Sequence, residues 1–269
     1  MEGGLCNFGH LSHARDANAR TLRASGRQRR TASVGAVSTP VDLHAIEPEE
    51  LPLRLARLSR GHEPGAVVRA CLAGPDRVGR QQLVDIAAGA GFALRRRGVG
   101  RPTALTRFWT LPDTVGPGMR LLICGLNPSP AAADAGVGFA RPGNRFWPAA
   151  LAAGLVSRDR DPDHALTEHD IGMTDMVKRT TRRADELDPD EYIEGMARLE
   201  RLVGWLDVPT ICFVGLAGWR AARNRRATAG WQADELGGAR VYLMPSTSGL
   251  NASSQLPDLT DHLRSAAQG

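Results

Sequence analysis

Three short stretches bring together the residue types with which this chain could do chemistry. Gly125-Leu126-Asn127-Pro128-Ser129 follows directly on an apolar run, so a carboxamide sits on the loop leaving a buried strand. Asn before Pro also simply initiates turns, and taken alone the segment does not choose between the two. Gly138-Phe139-Ala140-Arg141-Pro142-Gly143-Asn144-Arg145-Phe146-Trp147 puts an aromatic ring on a Gly- and Pro-bounded loop just ahead of a helix. A lone phenylalanine is more often core. Met244-Pro245-Ser246-Thr247-Ser248-Gly249-Leu250-Asn251 is a loop of hydroxyl and small residues carrying one leucine, suited to an anion or merely to a connection.

Residue counts narrow what that chemistry can be. Lys178 is the only lysine, so any Schiff-base mechanism would have to use it. Cys6, Cys71, Cys124 and Cys212 lie far apart, with no Cys-x-x-Cys and no His-x-x-x-His spacing. No metal centre, cofactor or disulfide framework is therefore expected, and a reducing, cytoplasmic setting is the default. No apolar run approaches the roughly 18 residues that span a bilayer, so membrane insertion is not expected.

The net charge of +5 is unevenly spread. Residues 121–269 hold 16 basic and 19 acidic side chains, a balance of −3, whereas residues 51–120 hold 12 and 4, a balance of +8. Residues 1–45 are rich in Ser, Ala and Arg with few large apolar residues, the composition of an unstructured basic tail. Residues 46–118 read as a small α+β appendage: a helix from Gln81 to Ala90, then a β-hairpin from Phe92–Arg95 and Ala104–Trp109. Arg95, Arg96, Arg97, Arg101 and Arg107 could face phosphates there, or form an ordinary solvated face.

From Met119 onward the pattern turns α/β. Leu121–Leu126, Ile211–Leu216 and Val241–Met244 are continuous apolar runs, the signature of strands buried on both faces. Helices are expected at Phe146–Ala153, from Pro189 to Leu206, and over Trp219–Thr228. Alternation of this kind predicts a mainly parallel central sheet covered by helices, with ligands at the carboxyl ends of the strands. The first and last of the chemistry-bearing stretches fall at such ends, and the other lies between them just ahead of a helix.

Taken in order, these segments resemble the mismatch-specific uracil/thymine DNA glycosylases of the uracil-DNA glycosylase superfamily. Gly125 to Ser129 is similar to that family's Gly-Ile-Asn-Pro-Gly with two substitutions. Phe139 to Trp147 matches its Phe-Ala-x-Pro-x-Asn-Arg-Phe-Trp at every fixed position. Gly172-Met173-Thr174-Asp175-Met176-Val177-Lys178-Arg179-Thr180-Thr181 resembles the stretch between its third and fourth loops, and Met244 to Leu250 its closing motif. The likeness covers residues 119–265 and implies a three-layer α/β/α sandwich for residues 119–269.

The resemblance implies a repair enzyme that flips uracil, and also mismatched thymine or damaged pyrimidines, out of a G:U or G:T pair in double-stranded DNA. Hydrolysis of the N-glycosidic bond would leave an abasic site. Asn127 would hold the attacking water, with Thr181 helping to orient it. Gly125, Leu126, Phe139 and Asp175 would surround the extruded base, Phe139 stacking on it. Leu250 would wedge into the vacated duplex position, and Ser246, Thr247, Ser248, Gly249 and Asn251 would contact DNA around it. Asp175 departs from the family, which often has a hydrogen-bond donor there; an ionised Asp can only accept, unless burial raises its pKa or it points away as a loop cap. The implied enzyme is monofunctional, acts as a monomer without an obligatory protein partner, and associates with the nucleoid during repair. A DNA-binding module that has lost catalysis and a hydrolase of free nucleosides are the competing readings.

Overall fold

The computed structural model describes residues 40–72, 77–94, 102–251 and 253–269. Its larger part is a five-stranded sheet with strand order β6-β5-β7-β9-β8. The strands are β5 (Leu121–Gly125), β6 (Ile171–Asp175), β7 (Thr210–Val214), β8 (Gly230–Leu236) and β9 (Ala239–Met244). β5 pairs in parallel with both β6 and β7, and β7 in parallel with β9; β8 alone runs antiparallel, at the edge. The carboxyl ends at Gly125, Asp175 and Met244 consequently share one edge of the sheet, where a parallel α/β fold presents its ligands.

Side-chain alternation along the strands splits the core into two layers. Leu122, Cys124, Ile211, Phe213, Val241 and Leu243 face helix α6 (Pro189–Trp205), meeting its Leu199, Leu202 and Val203, and meet Trp219 of α7 (Ala217–Ala222). Leu121, Ile123, Ile171, Met173, Cys212, Val214 and Met244 face the other way. There they meet Phe146 and Trp147 of α4 (Phe146–Ala152), Ala165 of α5 (Pro162–His169), and Leu259 and Leu263 of α8 (Leu256–Ala267). The result is a three-layer α/β/α sandwich. α3 (Pro130–Ala135) lies on the loop side, with Ser129 as its N-cap accepting the Ala132 amide at 3.3 Å.

The expected helix over Trp219–Thr228 is shorter than the pattern suggested. α7 ends at Ala222, and Asn224 Oδ1 accepts the Arg226 amide at 3.0 Å, a local turn that competes with further helix. β6 was legible only as part of a motif, because Gly172 and Asp175 interrupt its apolar run.

The appendage begins before residue 46 and holds more than a helix and hairpin: Val41–Leu43, inside the stretch expected to be an unstructured tail, form a strand that pairs in parallel with Ala70–Leu72 and buries Leu43. A four-stranded sheet of order β1-β2-β4-β3 is built from β1 (Val41–Leu43), β2 (Val67–Leu72), β3 (Phe92–Leu94) and β4 (Thr103–Arg107), covered by α1 (Leu51–Arg60) and α2 (Arg80–Gly89). Arg95, Arg96, Arg97 and Arg101 lie outside the described residues. Arg107 is 6% exposed, with Nε donating to Ser59 O at 3.2 Å and Nη2 to Thr110 O at 3.1 Å. A structural cation at an inward strand position, it is not part of a phosphate-facing patch. This layer is tied to the sandwich by the Arg201–Asp85 fork (2.6 and 3.0 Å) and by Arg60, which reaches Asp163 at 3.2 Å.

Candidate active site

The loop after β5 and the segment after β6 run side by side. Met176 N donates to Gly125 O (2.9 Å), Val177 N to Leu126 O (2.9 Å) and Thr181 N to Pro128 O (3.1 Å). This zipper continues the parallel pairing of the strands past their ends and sets Thr181 beside Asn127. Asn127 Nδ2 then donates to Thr181 Oγ1 at 2.8 Å and to Arg179 O at 3.0 Å, while the Thr181 hydroxyl donates onward to Arg183 O at 2.8 Å. Because the amide nitrogen is committed to protein acceptors, the orientation of the carboxamide is settled. Its Oδ1, to which no described residue donates, remains available to receive a hydrogen bond from a water.

Phe139 has a left-handed backbone (φ 58°), unfavourable for a bulky side chain, and its ring stacks on Phe146 with centroids 4.2 Å apart. The surrounding motif residues hold that conformation. Trp147 Nε1 donates to Gly138 O at 2.8 Å, and Asn144 Oδ1 accepts the Phe146 amide at 2.9 Å. A strained backbone fixed from both sides is a common mark of a site that must present one ring in one place. Gly125 lies below it: a side chain there would collide with Asp175 Oδ1 and reach 3.6 Å from Phe139 Cζ. The sheet edge, the Phe139 ring and Asp175 therefore converge on a spot that only glycine leaves open.

Asp175 ends β6 rather than capping a loop. It is 7% exposed, and its Oδ2 is buried with no hydrogen-bond partner among the described residues. Burial, opposed by Lys178 and Arg198 and reinforced by Asp113, pushes its carboxyl up to about 6. Sequence reasoning did not find the network beneath it. Asp113 accepts from Lys178 Nζ (2.7 Å), Thr174 Oγ1 (2.7 Å) and Arg198 Nη1 (3.0 Å), and Arg198 Nη2 also donates to Asp175 O at 2.7 Å. For Asp113 the burial penalty is outweighed by the two cations, which hold its carboxyl below the usual range. Two buried carboxyls of one site are thus driven in opposite directions.

The closing loop presents Leu250 at its tip, 82% exposed. Arg145, which no reading of residue types singled out, holds this loop from within. It donates to Ser254 O (2.5 Å), Ser248 O (3.1 Å) and Asn251 O (2.6 Å), and its own amide donates to Thr247 O (2.9 Å). Its fixed place in the Asn-Arg-Phe-Trp motif was the available signal. Asn251 Nδ2 closes the turn on Ser246 O at 2.8 Å, and a side chain at Gly249 would strike Gly143 O at 2.7 Å. Ser246 and Ser248 hydroxyls accept the Ser248 and Leu250 amides at 3.3 and 3.4 Å, so each keeps its own proton to donate. Thr247 is 1% exposed, so its side chain does not face the surface expected to touch DNA.

The sequence pattern described as the uracil DNA glycosylase superfamily matches residues 112–267, more than half of the chain. The chain belongs to that superfamily. Membership makes it, in general terms, a DNA N-glycosylase: a hydrolase of DNA repair acting on uracil in DNA. Among solved structures, it is similar to a candidate uracil DNA glycosylase from Methanosarcina acetivorans determined in solution by NMR. That protein is 19% identical, and the likeness covers 60% of this chain and 98% of that one with a TM-score of 0.38. The superfamily match begins ahead of Asp113, so it takes in the whole network beneath Asp175. Among the described residues no group of three or more His, Cys, Asp or Glu could hold a metal ion, and no helix is long and apolar enough to cross a membrane.

Proposed function

We propose that this superfamily member is a monofunctional, mismatch-directed glycosylase that extrudes uracil from double-stranded DNA and hydrolyses its N-glycosidic bond. Mismatched thymine and damaged pyrimidines are slower or secondary substrates, and the partner is a duplex carrying a G:U or G:T pair. The observation that carries this reading is the oriented Asn127 carboxamide, two residues beyond the Gly125 position on which Asp175 and Phe139 converge, with its nitrogen tied to Thr181 and Arg179. Asn127 Oδ1 accepts a hydrogen bond from a water and aims it at the sugar C1′ of the flipped nucleotide. Carrying no charge, it positions the water but gives little help to a cationic sugar. Acceleration therefore depends on stabilising the departing pyrimidine anion, which favours bases that leave easily. Phe139 supplies the stacking face, and Ser246 and Ser248 hydroxyl protons are directed to phosphates.

Leu250 fills the space the nucleotide leaves. Burying a leucine contributes about 1.5–3 kcal/mol. Leu250→Ala should therefore weaken specific binding to an extruded nucleotide by roughly tenfold or more, at about 1.4 kcal/mol per tenfold. Competition binding against an undamaged duplex measures this; equal loss on both duplexes would remove Leu250 from the flipping step.

The hydrolytic, non-lyase course rests on Lys178. It is 9% exposed, and its ammonium donates to Leu111 O at 2.6 Å and Asp113 at 2.7 Å, so this amine is not offered to C1′. Incubation of a uracil-containing duplex with the protein and borohydride should trap no covalent adduct, while alkali should cleave the product strand. Chelator should leave the single-turnover rate unchanged. A trapped adduct would demand a Schiff base at Lys178, and loss on chelation restored by a divalent ion would demand a metal.

A further inference from the structure

We propose that Asp175 reads the imide edge of the extruded base as a neutral carboxylic acid, so that action on uracil requires this side chain to be protonated. The inference rests on the glycosylase reading above and deepens it. Its ground is geometric. The Asp175 carboxyl lies on the rim of Gly125 where the Phe139 ring also arrives, and Oδ2 is buried without any partner among the described residues. The nearby pocket wall is mainly Leu111, Pro112, Phe139, Pro162 and Met173; of its two hydroxyls, that of Thr174 donates to Asp113 and that of Thr114 accepts from Arg60.

Uracil and thymine present an N3–H donor flanked by carbonyl acceptors. A neutral carboxylic acid has one acceptor and one donor side by side, and so pairs with N3–H and a neighbouring carbonyl together. An ionised Asp175 has acceptors only. It could take N3–H but would face the carbonyl oxygen without a proton, and it would oppose the negative charge that gathers on the leaving base.

The groups around Asp175 are consistent with this. Lys178, on the following segment, and Arg198, from α6, are cations, but both are bonded to the ionised Asp113. Cys124 of β5 is a buried thiol pushed well above its usual range, first by burial and then by Asp175, and stays neutral. What remains for Asp175 is chiefly desolvation, which raises its carboxyl to about 6.

The test is single-turnover excision from a uracil-containing duplex at saturating enzyme between pH 5 and 8.5, for the parent protein and Asp175→Asn. Above the Asp175 pKa the parent rate should fall about tenfold per pH unit, the behaviour of one essential protonated acid. The carboxamide introduced by Asp175→Asn keeps one acceptor and one donor at every pH, so this variant should lose the alkaline fall and overtake the parent by at least tenfold at pH 8. A flat parent profile overturns the inference, as does the same alkaline fall in Asp175→Asn, or a folded Asp175→Asn inactive throughout. If the parent binds the duplex but excises uracil at no pH, the glycosylase reading itself fails, which is a separate result.

Discussion

Asn127→Ala is expected to lower single-turnover excision by about 10²–10⁴-fold, the usual worth of a group acting on the chemical step, while duplex binding changes within a few-fold. Asn127 makes its hydrogen bonds through Nδ2, to Thr181 and Arg179 at one end of the zipper between residues 125–128 and 176–181. The zipper itself is backbone to backbone and survives removal of the side chain, so the loop should keep its place. The pocket wall, the Phe139 ring and the Leu250 tip come from other segments and are likewise untouched. Loss should therefore appear in the rate at saturation and not in affinity. An Asn127→Ala protein that excises uracil within tenfold of the parent would take the water-positioning role away from this residue.

Asp113→Ala should be the most destabilising single change outside the hydrophobic layers. It leaves two buried cations, Lys178 and Arg198, without their shared anion and removes the acceptor for Thr174 Oγ1. Breaking a buried pair from one side costs about 3–5 kcal/mol. For a domain of this size, at roughly 2–4 °C per kcal/mol, the melting temperature should fall by about 6–20 °C. The pH sign follows from the same carboxyl. Its folded pKa is held below the unfolded value, so its stabilisation is complete above the ordinary carboxylate range and fades as pH falls through the folded pKa. The difference between parent and Asp113→Ala, followed by thermal melts, should shrink toward low pH. A variant melting within about 2 °C of the parent at neutral pH, less than one kcal/mol at that conversion, would show that solvent reaches the two cations.

Much of this was written in local sequence. The apolar runs at Leu121–Leu126, Ile211–Leu216 and Val241–Met244 have no polar alternation because both sheet faces are covered, and that pattern is enough to predict a buried parallel sheet. Pro189 at the start and the Asp188–Glu191 capping box mark where α6 begins. Gly125, Asn127, Phe139 and Leu250 stand at strand ends or on loops, yet each segment alone also reads as a plain turn, a core ring or a connection, and the resemblance of the motifs taken in order is what singles them out. The edge strand β8 was not legible, because only one of its seven residues is buried and its composition is polar.

What tertiary structure alone decided is the state of the charged groups. Lys178 reads from sequence as the only possible Schiff-base amine, and is instead the partner of an aspartate 65 residues earlier. Arg107 reads as one of a basic cluster and proves to be an internal strut, while Arg145 proves to be the pin of a loop more than a hundred residues away. Asp175 reads as an acceptor or a loop cap, and becomes a buried carboxyl whose Oδ2 has no partner among the described residues and whose proton is set by what surrounds it. Hydrophobic periodicity is a property of neighbours along the chain, so sequence carries it directly. A charge takes its role from desolvation and from partners brought close by folding, and those partners lie at separations that no local pattern encodes.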